Sequence, residues 1–319
     1  MGAHIIRRQE ALRRGATDHE LQRQCRTGAW ERLRPGTYAP RDDLDTLDPV
    51  AVHRLVAEAA LRVASPDAVL SHQSAAAVHG LEMWNTPLRR VHLTRNRTGG
   101  GRRTGLRHVH VAELADHETT EVDGLRVTTL ARTVLDLARS LPFEEAVVAG
   151  DHALRTTALT AAELGEAVGG LPERSGRRRA HRVVDLLDGR SESVGESRSR
   201  VLMVREQLPV PDCQPNLYAP DGAHLGRVDF LFEELGVVGE FDGQVKYGRL
   251  VPEGQTPADV LWAEKQREDA LRAASWQVAR WTWQDLATPR VVAGRILDAI
   301  ERARLSPPPR GRVACTPKP

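Results

Sequence analysis

The sequence predicts a mixed α/β chain of several domains, an α+β arrangement in which helical and sheet-forming stretches alternate along 319 residues. Three observations carry this. Beyond residue 190 the segments run helix, three strands, helix, strand. The first 40 residues give two short helical stretches and a small hairpin. Between them, short Val-, Leu- and His-containing runs alternate with stretches whose apolar residues recur at helical spacing. Composition shifts place the boundaries at 1–40, 41–170, a Pro-, Ser-, Gly- and Arg-containing linker at 171–190, a domain at 191–306 and a disordered tail at 307–319.

In order, Ile5 to Arg14 reads as a helix stopped by Gly15. Thr17-Asp18-His19-Glu20 has capping-box spacing and starts a second helix to about Thr27, ended by Gly28. Trp30 to Leu33, the turn Pro35-Gly36 and Thr37 to Ala39 make a hairpin. Helix, turn, helix and basic hairpin form the pattern of a winged helix-turn-helix. Its second helix would bring Arg23 and Arg26 to the major groove of DNA, and its wing would set Arg32 and Arg34 against phosphates. Eight arginines against four acids in residues 1–34 fit that role. The competing reading is a helical pair that packs on the next domain.

In the middle region Ser71 to Leu81 reads as a capped helix, Val91 to Thr94 and His108 to Val111 as strands around an arginine loop, and Val122 to Val127 as extended. Helices follow from Thr129 to Ser140 and from Pro142 to about Arg155. His72, His79, His92, His108 and His110 match no sequential ligand spacing and read as satisfied or exposed imidazoles. Residues 89–107 hold seven arginines and no acid, and residues 174–182 hold five and no acid, which suits a polyanion.

The C-terminal region carries the chemistry. Ser193 to Glu196 has capping-box spacing and opens a helix to about Leu208. An extended Gln214 to Tyr218, the turn Pro220-Asp221-Gly222, and the runs Arg227 to Phe232 and Val237 to Phe241 give three strands. Thr256-Pro257 caps a second helix to about Ser275, Gln277 to Trp281 is a fourth strand, and Val291 to Leu305 a last helix. Asp229 and Glu240 thus stand on adjacent apolar strands, where they lose hydration. One hard divalent cation, Mg2+ or Mn2+, would replace it. Glu196 has two readings: the capping partner of Ser193, or a third acid for the same site.

Residues 193–286 resemble the endonuclease-like domain related to very-short-patch repair enzymes, in the restriction-endonuclease-like PD-(D/E)xK superfamily. The matching residues are Glu196 in Glu-Ser-Arg-Ser-Arg, Asp229 in Arg-Val-Asp-Phe, Glu240 and Asp242 in Glu-Phe-Asp-Gly, and Glu264-Lys265 with Arg267-Glu268-Asp269. The resemblance implies an αβββαβ core with Asp229, Glu240 and Glu196 at the metal. Where the superfamily usually has Glu-x-Lys, this chain has Glu240-x-Asp242. Lys246 stands where relatives with Asp-Gly often carry His, and it or Lys265 can supply positive charge at the phosphate. Arg267 adds a DNA contact from the helix. The run Gly28 to Tyr38 resembles the N-terminal domain of AbiEi-type antitoxins of type IV toxin–antitoxin systems, and the middle region resembles the remainder of such proteins. The expected function is metal-dependent DNA cleavage, with DNA as partner. The alternative is an antitoxin-like transcriptional regulator with an inactive nuclease fold and a cognate toxin.

Composition frames these expectations. With 40% hydrophobic and 28% charged residues the chain is ordinary for a cytoplasmic protein. No apolar run reaches the roughly 20 residues of a membrane helix, and the arginine-rich start is unlike a signal peptide. Cys25, Cys213 and Cys315 form neither a pair nor a zinc spacing, which fits a reducing compartment.

Overall fold

A computed structural model describes residues 5–97, 99–171, 176–243 and 256–315. The fold is mixed α/β, in two compact units: Met1–Ala149 with Ala162–Val183, and Gly150–Ala161 with Val184–Pro319. The stretch 171–190, expected as a linker, contains one division between the units, at Val183–Val184, but is not without regular structure. Arg177–Val184 is a helix, with Ala180, Val183 and Val184 buried and Arg178, Arg179 and Arg182 exposed. Leu187, Asp188, Arg190 and Ser191 are buried in turn. Linker-like composition here is the polar face of an amphipathic element.

The first unit opens with a three-stranded sheet, in the order Ile6–Arg7, Thr37–Pro40, Trp30–Arg34. Helices Arg8–Arg13 and Asp18–Arg26 cover it over Ala11, Leu21 and Tyr38. Thr17 and Glu20 form the expected capping box. The expected helix from Ile5 instead begins as a strand, because the Thr37–Pro40 edge takes Ile6 and Arg7 as its partners.

A six-stranded mixed sheet follows, in the order Arg102–Arg103, Arg107–Val111, Val91–Arg95, Ala68–Leu70, Leu125–Thr128, Thr119–Val122. Helices Pro49–Leu61, His72–Val78 and Leu130–Ser140 belong with it. Its core joins Ala57, Leu70, Val78, Val91, Leu93 and Val127.

In the second unit the helix Val194–Arg205 precedes a sheet ordered Asp212–Cys213, Phe230–Phe232, Val237–Asp242, Gln277–Thr282. The last two strands pair in parallel and the others antiparallel. Parallel pairing needs a crossover, which the helix Pro257–Ala273 lies within. Fully buried Phe230 and Trp281 stack with centroids 5.5 Å apart, and Trp281 Nε1 donates to Ser199 Oγ at 2.8 Å.

Two expectations change here. Asn216–Tyr218 does not extend the four-stranded sheet. It forms a separate one with His224–Arg227 and Arg312–Ala314. The run Arg227 to Phe232, expected as one strand, therefore breaks at Val228–Asp229, where the chain passes from one sheet to the other. The segment 307–319, expected to be disordered, supplies the Arg312–Ala314 strand. Among the described residues no helix is long and apolar enough to cross a membrane.

Candidate functional site

Asp229 sits at this passage between sheets. Backbone bonds pin it on both sides: Gln214 N donates to Asp229 O and Val228 N to Pro215 O, each at 3.1 Å. The register Phe230↔Gly239 brings Asp229 and Glu240 to the same end of the ladder. Asp229 Oδ2 accepts the Phe241 amide at 2.8 Å, and Oδ1 accepts from Gln214 Nε2 at 3.3 Å.

Gln214 was not foreseen. Its Nε2 also donates to Glu196 Oε2 at 2.9 Å, so one buried amide ties two carboxylates together. Its backbone is left-handed, φ +55°, a conformation that costs energy for a non-glycine residue and concentrates at functional sites.

Glu196 forms the expected cap, and its carboxylate also reaches the Gln214 amide. Ser193 Oγ donates to Oε1 at 2.8 Å and receives the Glu196 amide at 3.2 Å, which is the cap. Oε2 also accepts from Glu192 N at 2.8 Å. Gly195 makes the approach feasible: a Cβ there would lie 1.9 Å from Phe241 Cε1, whose ring stands edge-on to Trp283.

Glu240 is held differently. Arg267 Nη2 lies 2.8 Å from Oε1, and Arg280 Nη2 3.1 Å from Oε2. Arg280 also pairs with Glu264 at 3.0 Å and Glu268 at 3.2 Å. The helix Pro257–Ala273 thus turns Glu264, Arg267 and Glu268 toward the site, one face of the 3.6-residue repeat. Lys265, one position off that face, is exposed. Arg267 was expected to contact DNA, but here it is the counter-ion of Glu240. Its Nη1 also donates to Arg227 O at 3.0 Å. Asp242, two residues beyond Glu240, is half-buried on the same strand. Lys246 lies outside the described residues.

Burial raises the Glu196 carboxyl above its ordinary range, and the Asp229 charge adds to it, against the hydrogen bonds from Glu192, Ser193 and Gln214. Burial likewise raises Glu240, opposed by Arg267 and Arg280. Glu240 Oε1 is buried and, among the described residues, accepts no aligned hydrogen bond despite the nearby guanidinium. An all-oxygen donor set with a raised, under-satisfied carboxylate fits a hard cation. In this geometry, however, Glu196, Asp229 and Glu240 are not drawn within 4.8 Å of one another, as three ligands of one ion would be.

The arginines expected on DNA divide. Arg23, Arg26 and Arg32 are exposed. Arg34 is half-buried and donates to Ala59 O at 2.5 Å, which removes it from the wing's free surface. Burial lowers its pKa.

The imidazoles read as satisfied do have partners: His79 Nε2 lies 2.7 Å from Thr128 O and His72 Nδ1 3.0 Å from Ser71 Oγ, and three of them also come together in space. His72, His92 and His110 bring ligand nitrogens within 4.8 Å of one another. The available signal was the alternation in Arg-His-Val-His-Val, which sets His108 and His110 on one face of a strand. Sequential ligand spacing does not register three segments that converge only in the sheet.

No protein-family model matches the chain. Two Mycobacterium tuberculosis relatives, described as uncharacterized proteins Rv2248 and MT2308, are each 27% identical over 292 residues, spanning 91% of this chain and 99% of the relative. A crystal structure of the RV2827C protein from the same organism aligns with 57% of this chain and 71% of its own, at 16% identity and TM-score 0.38, too loose a likeness to bear on the fold.

Proposed function

We propose that the chain is a magnesium- or manganese-dependent DNA endonuclease of the restriction-endonuclease-like type, placed on DNA by a winged helix-turn-helix at its N-terminus and working in the cytoplasm. The observation that supports this most is the Glu196–Gln214–Asp229 linkage at the ladder end that also carries Glu240. Glu196 and Asp229, two carboxylates tied through one buried amide, cost stability unless a cation or substrate chemistry uses them. A divalent ion bound there would polarise the scissile phosphate and acidify the attacking water. Asp229 and Glu240 would hold it, with Glu196 beside them. Gln214 and the Phe241 amide fix the Asp229 carboxylate in advance of binding.

The expected result is nicking of supercoiled plasmid in millimolar Mg2+ or Mn2+ and none in chelator. Asp229→Asn should slow it at least about 100-fold, since even indirect supports of metal ligands are worth 10–100-fold. Plasmid left intact by the wild type in both metals refutes the enzyme.

One observation favours the second reading, an AbiEi-like regulator with a silent nuclease fold and a cognate toxin as partner. Arg267 and Arg280 already supply positive charge to Glu240. Both readings share DNA binding through the exposed Arg23, Arg26 and Arg32. Their triple Ala variant should lower the slope of log K against log salt by roughly 0.9 for each phosphate no longer neutralised. An unchanged slope would remove the N-terminal module from the DNA-binding surface.

A further inference from the structure

We propose that His72, His92 and His110 form a binding site for a zinc-class transition-metal ion in the first unit, separate from the acidic site and independent of its function. The three come from three segments. His92 lies on the strand Val91–Arg95 and His110 on the parallel neighbour Arg107–Val111, on one sheet face, since Thr94 is the register partner of His110 and His92 that of His108. His72 begins the helix His72–Val78 directly after the strand Ala68–Leu70. Ser71 N donates to His92 O at 3.1 Å, which aligns it with the pair.

The ligand nitrogens lie within 4.8 Å of one another, and His92 Nδ1 and His110 Nε2 are 3.0 Å apart. Tetrahedral Zn–N bonds of roughly 2.0–2.1 Å put nitrogens about 3.3 Å apart, close to the His92–His110 spacing, so turning the His72 ring off its stack on His110 is the change that would complete the site. Three imidazoles are the donor set of zinc, copper, nickel or iron, not of magnesium.

Independent features point to the same place. His72 has φ +51°, a left-handed backbone rare outside glycine, at a position with 8% exposure. The energy spent there is characteristic of a functional position. Asp136 Oδ2, buried and without a hydrogen-bond partner among the described residues, lies 3.8 Å from His72 Nδ1. His72 Nδ1 is engaged by Ser71 Oγ at 3.0 Å, which leaves Nε2 to ligate, and the nearby carboxylate adds to the basicity of that imidazole. Asp136 Oδ1 is meanwhile held by Arg132 at 3.1 Å and Arg139 at 3.5 Å, so the acid is anchored for that role. His110 stacks on His72 at a centroid distance of 3.8 Å and lies tilted against His108 at 3.7 Å, which sets its plane. His92 and His110 are only half-buried, which leaves room for a water or a further ligand in the fourth position.

The test uses the full chain stripped with chelator and titrated with Co2+ and Zn2+. One equivalent of Co2+ should give the visible absorption of a tetrahedral nitrogen-ligated ion, displaced by Zn2+ and unaffected by excess Mg2+. His92→Gln and His110→Gln should each abolish the band, and Asp136→Asn should weaken binding by 10–100-fold. Asp229→Asn, in the acidic site, should leave the band intact. Should the histidine variants fail to fold, the wild-type titration still decides. A wild type that shows no band and retains no stoichiometric zinc after dialysis overturns the proposal, as does a band that survives both histidine substitutions.

Discussion

Replacing Arg200 with methionine is expected to lower the stability of the second unit by about 3–5 kcal/mol, the cost of stranding a buried charge. Arg200 Nη1 donates to the fully buried Asp151 at 2.8 Å, and its Nη2 donates to Leu186 O. Asp188 N donates to the other Asp151 oxygen, also at 2.8 Å. Asp188 in turn pairs with Arg190, and Arg190 with Asp212 on the first strand of the sheet. Arg200 lies one turn along the helix from Glu196, so this network seats the helix that presents the acid. Urea unfolding followed by tryptophan fluorescence reads the loss. Arg200→Met with Asp151→Leu removes both charges and should recover part of it. A double variant whose loss equals the sum of the Arg200→Met and Asp151→Leu losses would show that the pair is not coupled.

Acid should unfold the metal-free first unit from about pH 6.5 downward. Burial, with the neighbouring Arg132 and Arg139 charges, lowers His72 from 6.5 to about 3. Burial and the adjacent imidazoles lower His92 to about 2 and His110 to about 3. A depressed folded pKa means that the unfolded chain binds protons the folded one refuses. Stability is therefore complete above 6.5 and drains as pH falls toward 3. Between pH 7 and pH 5 each imidazole accounts for up to about 2 kcal/mol, less for the half-exposed His92 and His110. Thermal midpoints in chelator should drop steeply over that range, and His92→Gln should flatten the curve. Asp136, raised by burial beside the cluster, pulls weakly the other way. A midpoint constant from pH 7 to pH 5 would contradict the account.

What was legible in the sequence is what local physics dictates. The caps at Thr17 and Thr256 each form with their acidic partners, Glu20 and Asp259. The hairpin around Gly236 and the parallel return of Gln277–Thr282 follow from apolar runs and punctuation. The acids Glu196, Asp229 and Glu240 fall where those elements put them. What was not legible depends on tertiary registration. Gln214 carries no compositional mark of its left-handed backbone, and its bridging amide exists only because two sheets diverge beside it. Arg267 reads as a solvated helix residue until the sheet supplies Glu240 beneath it. Arg177–Val184 is so rich in arginine that its buried stripe, Ala180, Val183 and Val184, does not stand out as periodic.

The amide of Phe241, donated at 2.8 Å to the Asp229 carboxylate, makes the backbone a built-in reporter. Its proton is deshielded while that oxygen carries negative charge, and its resonance should move when the charge is neutralised or shared. A single backbone signal, followed by NMR on isotope-labelled protein, would then register cations, phosphate analogues and DNA as they arrive, without any added label.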